Sequence, residues 1–290
     1  MRLAARGLRF LILAAFALVF VVPILWLILA PTKSDQALVT SGPLTFGSFH
    51  HLAQAWSHLD AFSEHIYRGW IANSLVYALG ATAIVLATAV PAGYGLALSR
   101  FPGRVLILTS TLIVMIMPAA SLVLPIFLEL DALHLIGSVL SVILPFAFFP
   151  FGVYIAYIYY STAVPRDLLD AARIDGCGEW STFWRIALPL ARPVVALVFF
   201  FSFVADWNNF FLPYAVLADS SQYPIQVGLS NLLGTTPSFN PAVGGGGQQV
   251  NIFRPELALA TLLAVIPVAV VFMLSQRALV RGLVAGAVKS

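Results

Sequence analysis

Five stretches of this chain run for 20 residues or more without one Asp, Glu, Lys or Arg: Phe10 to Thr32, Gly69 to Ser99, Val105 to Leu128, Ala132 to Pro165 and Leu257 to Gln276. A sixth, Pro193 to Ala218, is interrupted only by Asp206. About 20 apolar residues in a helix rise far enough to cross a hydrocarbon core of roughly 30 Å. Inside lipid a backbone must satisfy its own hydrogen bonds, and for runs this long the structure that does so is the helix. The chain therefore reads as an all-α membrane protein with six transmembrane helices. Composition agrees: 9% of residues are charged and the mean hydropathy is +0.94, where a soluble domain carries roughly a quarter of its residues as charges.

Orientation follows from where Lys and Arg sit. With the N-terminus inside, the inner segments hold Arg2, Arg6, Arg9, Arg100, Arg104, Arg166, Arg173, Arg185, Arg192, Arg277, Arg281 and Lys289, and the outer ones hold Lys33, Arg68 and Arg254. Twelve against three places both termini in the cytoplasm. The pI near 9.2 is thus a matter of topology, and no nucleic-acid partner is expected. The first run follows three arginines, as a signal peptide would, but it exceeds the roughly 7–15 apolar residues of such a peptide, so a retained anchor is expected. The single cysteine, Cys177, excludes an internal disulfide and any CxxC site.

After the first run comes an outer segment in which Phe49, Leu52, Trp56, Leu59, Ile66 and Trp70 recur at near-helical spacing, the pattern of an amphipathic helix at a membrane surface. His51, His58 and His65 stand seven apart, too far along a helix to share one ion; they read as solvated side chains, and no metal site is expected. Gly244 to Gly247 reads as a flexible tip of the last outer loop. Pro23, Pro91, Pro118, Pro125, Pro145, Pro150, Pro213 and Pro267 fall within the runs and each tends to kink its helix. That fits either irregular packing or a bundle around a pathway that changes shape.

The exception to this apolar pattern is "RDLLDAARIDGCGEWSTFWRIALPLAR", Arg166 to Arg192. Pro165 opens a helix, and Leu168, Leu169, Ala171 and Ala172 extend it. Asp170 can pair with Arg166 or Arg173 along one side. Gly176 and Gly178 break the helix, and Glu179 opens a second that carries Trp180, Phe183, Trp184 and Ile186. Small residues permit close approach of another backbone, and aromatics also rest in the headgroup zone. Residue chemistry leaves both a docking surface and a membrane-anchored loop open.

"DAARIDGCGEWSTFWRIALPL" resembles the signature of ABC importer membrane subunits: EAA, three residues, Gly, nine residues, then I-x-L-P. Asp170, Ala171, Ala172, Gly176, Ile186, Leu188 and Pro189 occupy those places. "YGLALSRFPGR" and the tail "QRALVRGLVAGAVKS" resemble the sugar-importer, maltose-permease-like branch. Asp170 stands where Glu is usual, and Leu98 where Arg is expected.

The resemblance implies a type I ABC importer (MetI-like) permease fold in the bacterial cytoplasmic membrane. Residues 1–70 would form the first transmembrane helix and an extracytoplasmic amphipathic segment. Residues 71–290 would form the importer transmembrane domain, with its cytoplasmic coupling loop at 160–192. That loop, through Asp170, Ala171, Ala172, Arg173, Asp175, Gly176, Ile186, Leu188 and Pro189, would couple to an ATPase. The tail at Gly286, Ala287, Val288 and Lys289 would make a second contact with it. Partners implied are a second, different permease subunit, two ATP-binding subunits, an extracytoplasmic solute-binding protein and membrane lipid.

The chain has no phosphate loop: Val288 rather than Gly precedes Lys289. It also shows no Ser–His pair, zinc spacing or paired carboxylates within its runs. No catalytic site is expected, and ATP with Mg would be bound by the partner ATPase. "ADWNNFFLP" resembles a sugar-permease segment, so Asp206, Trp207, Asn208, Asn209 and Tyr214 are candidates for a substrate pathway. Asp206, near mid-membrane, reads equally as an interhelical polar clamp between subunits. A channel or secondary transporter working without ATPase is the alternative.

Overall fold

The computed structural model describes residues 2–240 and 252–285. The glycine run at 244–247 and the tail residues Gly286, Ala287, Val288 and Lys289 lie outside them. Among the described residues every regular element is helical. Four helices are long and apolar enough to cross a membrane, and two bent helix pairs bring the total to six when each pair counts as one span, in agreement with the six expected.

The chain divides into two compact units, residues 1–69 with 228–266, and 70–227 with 267–290. In the first, α1 (Arg2–Leu29) leads through a tight turn to α2 (Asp35–Thr40) and α3 (Phe49–Ala61). The amphipathic segment is therefore shorter than its spacing suggested. It stops at Ala61, and α4 (Ile66–Leu98) starts after a turn in which Ser63, Glu64 and His65 all take positive φ. That conformation is unfavourable for residues with a Cβ. A cluster of charges holds it: Arg68 Nη2 donates to Asp60 Oδ2 at 2.8 Å, and His65 lies 3.1 Å from the same carboxylate. Arg68's hydrogen bond, more than any other influence, keeps the Asp60 carboxyl below its ordinary range. His58 and His65 are both exposed, as expected of solvated side chains, and each also has a carboxylate neighbour, His58 Nδ1 meeting Glu256 Oε1 at 3.1 Å. The outer cations are likewise engaged: Lys33 donates to the Gly42 carbonyl at 2.7 Å, and Arg254 Nε pairs with Asp35 at 3.0 Å.

The second unit carries most of the bundle. After α4 come α5 (Arg104–Ile116), α6 (Val123–Ala132), α7 (Val139–Phe146) and α8 (Pro150–Thr162). The α5 pair is bent by 104° at Met117 and Pro118, where proline cannot continue the ladder. Pro150 stands at the first turn of α8, after a break at Ala147 to Phe149. By contrast Pro23 and Pro91 lie inside unbroken α1 and α4, so a proline in a run marks a possible break and not a necessary one.

Next follow α9 (Arg166–Ile174), α10 (Glu179–Thr182), a π turn at Phe183–Ala187, α11 (Leu188–Leu190) and α12 (Arg192–Trp207). The run from Pro193 to Ala218 is not one helix: α12 stops at Trp207 and α13 (Phe211–Val216) restarts after three residues. The chain continues through α14 (Ile225–Thr235) to α15 (Arg254–Ala285), within which Pro267 sits unbroken. The loop before α14 is pinned to α4. Trp70 Nε1 donates to the Ser220 carbonyl at 2.7 Å, Tyr77 to that of Gln222 at 2.9 Å, and Ile225 N to Ser74 Oγ at 2.7 Å.

One core joins Val85, Ala89, Val90 and Tyr94 of α4 with Ala156 and Tyr160 of α8, Leu169, Phe183 and Ala187 of the polar stretch, and Val194 and Val198 of α12. Small residues set its spacing. A Cβ on Gly93 would overlap the side chain of Ala156 and lie 2.8 Å from its carbonyl carbon, whereas nothing lies within 4 Å of one on Gly95. Lipid gives helices no hydrophobic reason to associate, so close contact of this kind is what binds them. Gly93→Ala should therefore cost about 1–3 kcal/mol through overpacking and lower the melting temperature in lipid nanodiscs. Gly95→Ala, two residues along the same helix, should not lower it.

Candidate functional site

The polar stretch forms a helical hairpin. Pro165 is the N-cap of α9 and not its first residue, Asp167 lies in the first turn and Arg173 in the last, each favourably placed against the helix dipole. α9 ends in a Schellman turn: Gly176 N donates to the Arg173 carbonyl at 3.0 Å and Cys177 N to that of Ala172 at 2.9 Å. Gly176 has φ +80°, and a Cβ there would meet nothing within 4 Å. Its backbone conformation, not a lack of space, is what calls for glycine.

The core holds the hairpin from within. Leu169, Phe183 and Ala187 are buried in it, with Ile186 and Leu188 packed against its edge, and Ala172 is buried as well. Ala172 is thus covered by the chain itself, while Asp170, Ala171, Arg173, Asp175, Gly176 and Pro189 are exposed. Asp170 pairs with Arg173, Nη1 to Oδ1 at 2.9 Å, and not with Arg166. Arg173 also reaches Glu179 at 3.2 Å, whose charge is the first cause that pushes the Arg173 pKa above its ordinary value.

Sequence reasoning undervalued the apolar side of this surface. Ile174 is 86% exposed, Trp180 72% and Trp184 58%. The two tryptophans flank buried Phe183, their rings edge-on at 6.3 and 5.3 Å. Three large apolar side chains on this braced scaffold are thus left uncovered by the chain itself.

The second group lies at the break between α12 and α13. Asp206 Oδ2 accepts from Thr82 Oγ1 at 3.3 Å, and Thr82 in turn accepts from Ser202 Oγ at 2.9 Å. Thr82 and Ser202 are buried, so a three-member polar chain links α12 to α4. Trp207 is 1% exposed and stacks on Phe203 with centroids 5.7 Å apart; its ring faces protein and offers no open surface. Asn208 closes the end of α12 by donating to the Val204 carbonyl at 2.8 Å, and accepts from Gln226 Nε2 at 3.4 Å. Asn209 is half-buried, with its N–H donating to the Asp206 carbonyl at 3.2 Å. Tyr214 is exposed and stacked on Phe210 at 5.5 Å. Of the five candidates, then, Asn208 and Tyr214 are open and Trp207 is not. Thr82, Ser202 and Gln226 went unnoticed in the sequence. The available signal was that Thr82 and Ser202 are hydroxyls set inside otherwise apolar runs.

Residues 89–284 match the family described as "Binding-protein-dependent transport system inner membrane component". The chain belongs to this family. It is thus a multi-pass inner-membrane component of a transport system that works with a binding protein, and a transport permease rather than an enzyme. Membership sets aside the channel and secondary-transporter alternative. The chain is 33% identical to the arabinooligosaccharides transport system permease protein AraQ of Bacillus subtilis (strain 168), over 94% of this chain and 92% of that one. It is 30% identical to the lactose transport system permease protein LacG of Rhizobium radiobacter, over 96% and 93%. A crystal structure of a bacterial ABC transporter involved in the import of the acidic polysaccharide alginate superposes with a TM-score of 0.79 at 21% identity, covering 94% of this chain and 96% of that one. The permease fold is therefore shared along nearly the whole length.

The polar chain makes a quantitative prediction. Thr82→Val leaves both Asp206 and Ser202 without their partner and should cost about 1–3 kcal/mol, while Ser202→Ala removes one donor and should cost about 0.5–1.5 kcal/mol. Thermal unfolding in nanodiscs should rank them in that order.

Proposed function

We propose that this permease imports a saccharide or sugar-like solute and is driven by ATP hydrolysed on partner subunits. The single observation that carries the coupling half of the proposal is the hairpin: Ile174, Trp180 and Trp184 bare to solvent on a scaffold buried in the α4–α8–α12 core. Such a patch suits a groove in a soluble partner, with Asp170, Arg173 and Asp175 as its charged rim. The saccharide half rests on relatives named for arabinooligosaccharides, lactose and diacetylchitobiose.

In this reading two ATP-binding subunits, holding ATP and Mg, seat on this hairpin and on that of a second, different permease subunit. Closure of the ATPase pair on ATP moves both hairpins and shifts the membrane cavity from inward- to outward-facing. The nucleotide acts by binding one arrangement better than the other, so the element that reports it must be stiff. An extracytoplasmic binding protein delivers the solute. Asn208 and Tyr214, open at the α12–α13 break, are the side chains here best suited to it: an amide for hydroxyls and a ring face for the sugar plane. Asp206 and Trp207, engaged within the chain, position that break.

Purified with its partners, the complex should take up solute in vesicles only when ATP is supplied on the cytoplasmic side. Trp180→Ala and Ile174→Asp should each weaken ATPase association by about 2 kcal/mol or more, as removal of an interface anchor does, without lowering membrane insertion. Uptake without ATP, or undiminished association in both variants, would overturn the proposal.

A further inference from the structure

Two kinds of contact fasten the hairpin to the bundle. The first is the apolar core, where Leu169, Phe183 and Ala187 pack with Val90, Tyr94 and Tyr160. The second is a short polar chain. The Tyr94 hydroxyl, one turn from the end of α4, donates to Glu179 Oε2 at 3.3 Å. The other oxygen of that carboxylate, Oε1, accepts from Arg173 Nε at 3.2 Å. Arg173 then reaches back to Asp170 on α9.

Among the described residues, Tyr94 to Glu179 is the only side-chain hydrogen bond between α4 and the hairpin. Tyr160, edge-on to Tyr94 at 5.4 Å, has a buried hydroxyl with no partner, so of the two rings Tyr94 alone is tied to the hairpin through its oxygen. Leu98, one turn further along α4, is apolar and can make no such bond.

The two fastenings behave differently under load. Apolar contact is non-directional, whereas a hydrogen bond to a carboxylate is short-ranged, directional and strengthened by charge. Glu179 sits just past the turn at Gly176 and Gly178, the one place between α9 and α10 where the chain can fold on itself. A push delivered to α9 would bend that turn unless something crossed it. Arg173, on the near side, and Tyr94, on a transmembrane helix, grip opposite oxygens of Glu179 and so cross it. Both charged groups are partly exposed, and a pair of that kind adds little to stability. What it supplies is geometry.

We propose that Glu179 is the pin of the lever, receiving displacement from α9 through Arg173 and passing it to α4 through the Tyr94 hydroxyl. Tyr94 and Glu179 are then positioning residues for transport that touch neither solute nor nucleotide. This rests on the hairpin being the ATPase seat, and the test below tells failure of the pin from failure of the seat.

The test uses the complete importer in proteoliposomes, scoring three quantities: ATPase subunits retained on purification, ATP hydrolysed, and solute imported. Tyr94→Phe removes one oxygen and keeps the ring in the core. ATPase subunits should be retained while solute imported per ATP falls between about twofold and thirtyfold, the range for residues that modulate coupling without touching a ligand. Glu179→Ala, on the exposed surface, should behave alike, and Tyr94→Phe added to it should cause no further loss. An unchanged yield per ATP in Tyr94→Phe, or losses that multiply in the double variant, would overturn the pin. Gly176→Trp should instead strip the ATPase subunits from the complex. If it does not, the seat itself is wrong and the pin goes with it.

Discussion

The crossing of α4 and α8 at Gly93 and Ala156 fixes the distance on which the rest of the second unit depends. A side chain on Gly93 would force the two backbones apart, and with them the core that also holds α12 and the root of the hairpin. Helices in lipid gain no solvent-driven attraction for each other, so contact quality replaces it. Tyr94, next to Gly93, and Tyr160, one turn beyond Ala156, pack edge-on to each other, and Phe183 of the hairpin packs 5.1 Å from Tyr94. The hairpin is thus built beside a close helix–helix contact.

Much of this was legible in the sequence because lipid leaves few choices. A charge-free run must be a helix, so the six spans followed directly from the runs themselves. The hairpin was legible too, since a turn needs glycine where φ is positive, and Gly176 supplies it. Where spans break was not legible. Pro91 and Pro118 look alike in sequence, yet α4 runs on through the first and α5 ends at the second. Tertiary neighbours decide whether a helix with a missing donor is held straight. The stop of α12 at Trp207 had only Asn208 and Asn209 to announce it.

Side-chain direction was the second blind spot. Trp207 suited a sugar ring by its chemistry, but its burial against Phe203 depends on which face of α12 meets the bundle. An apolar run without polar periodicity does not reveal that face. Ala172 is a similar case: it sits in the motif beside exposed Ala171 but points inward. Asp206 read in the sequence as a clamp between subunits or a pathway residue, whereas the partner it has here, Thr82, lies in the same chain more than a hundred residues away and could not be named.

The bareness of Ile174, Trp180 and Trp184 has a cost for the cell that makes this chain. A newly inserted copy carries a sticky face that nothing of its own covers, and such faces invite aggregation. Orphan copies should be short-lived, with accumulation capped by the scarcest companion. Balanced synthesis of the components is, for this chain, a requirement written into three side chains.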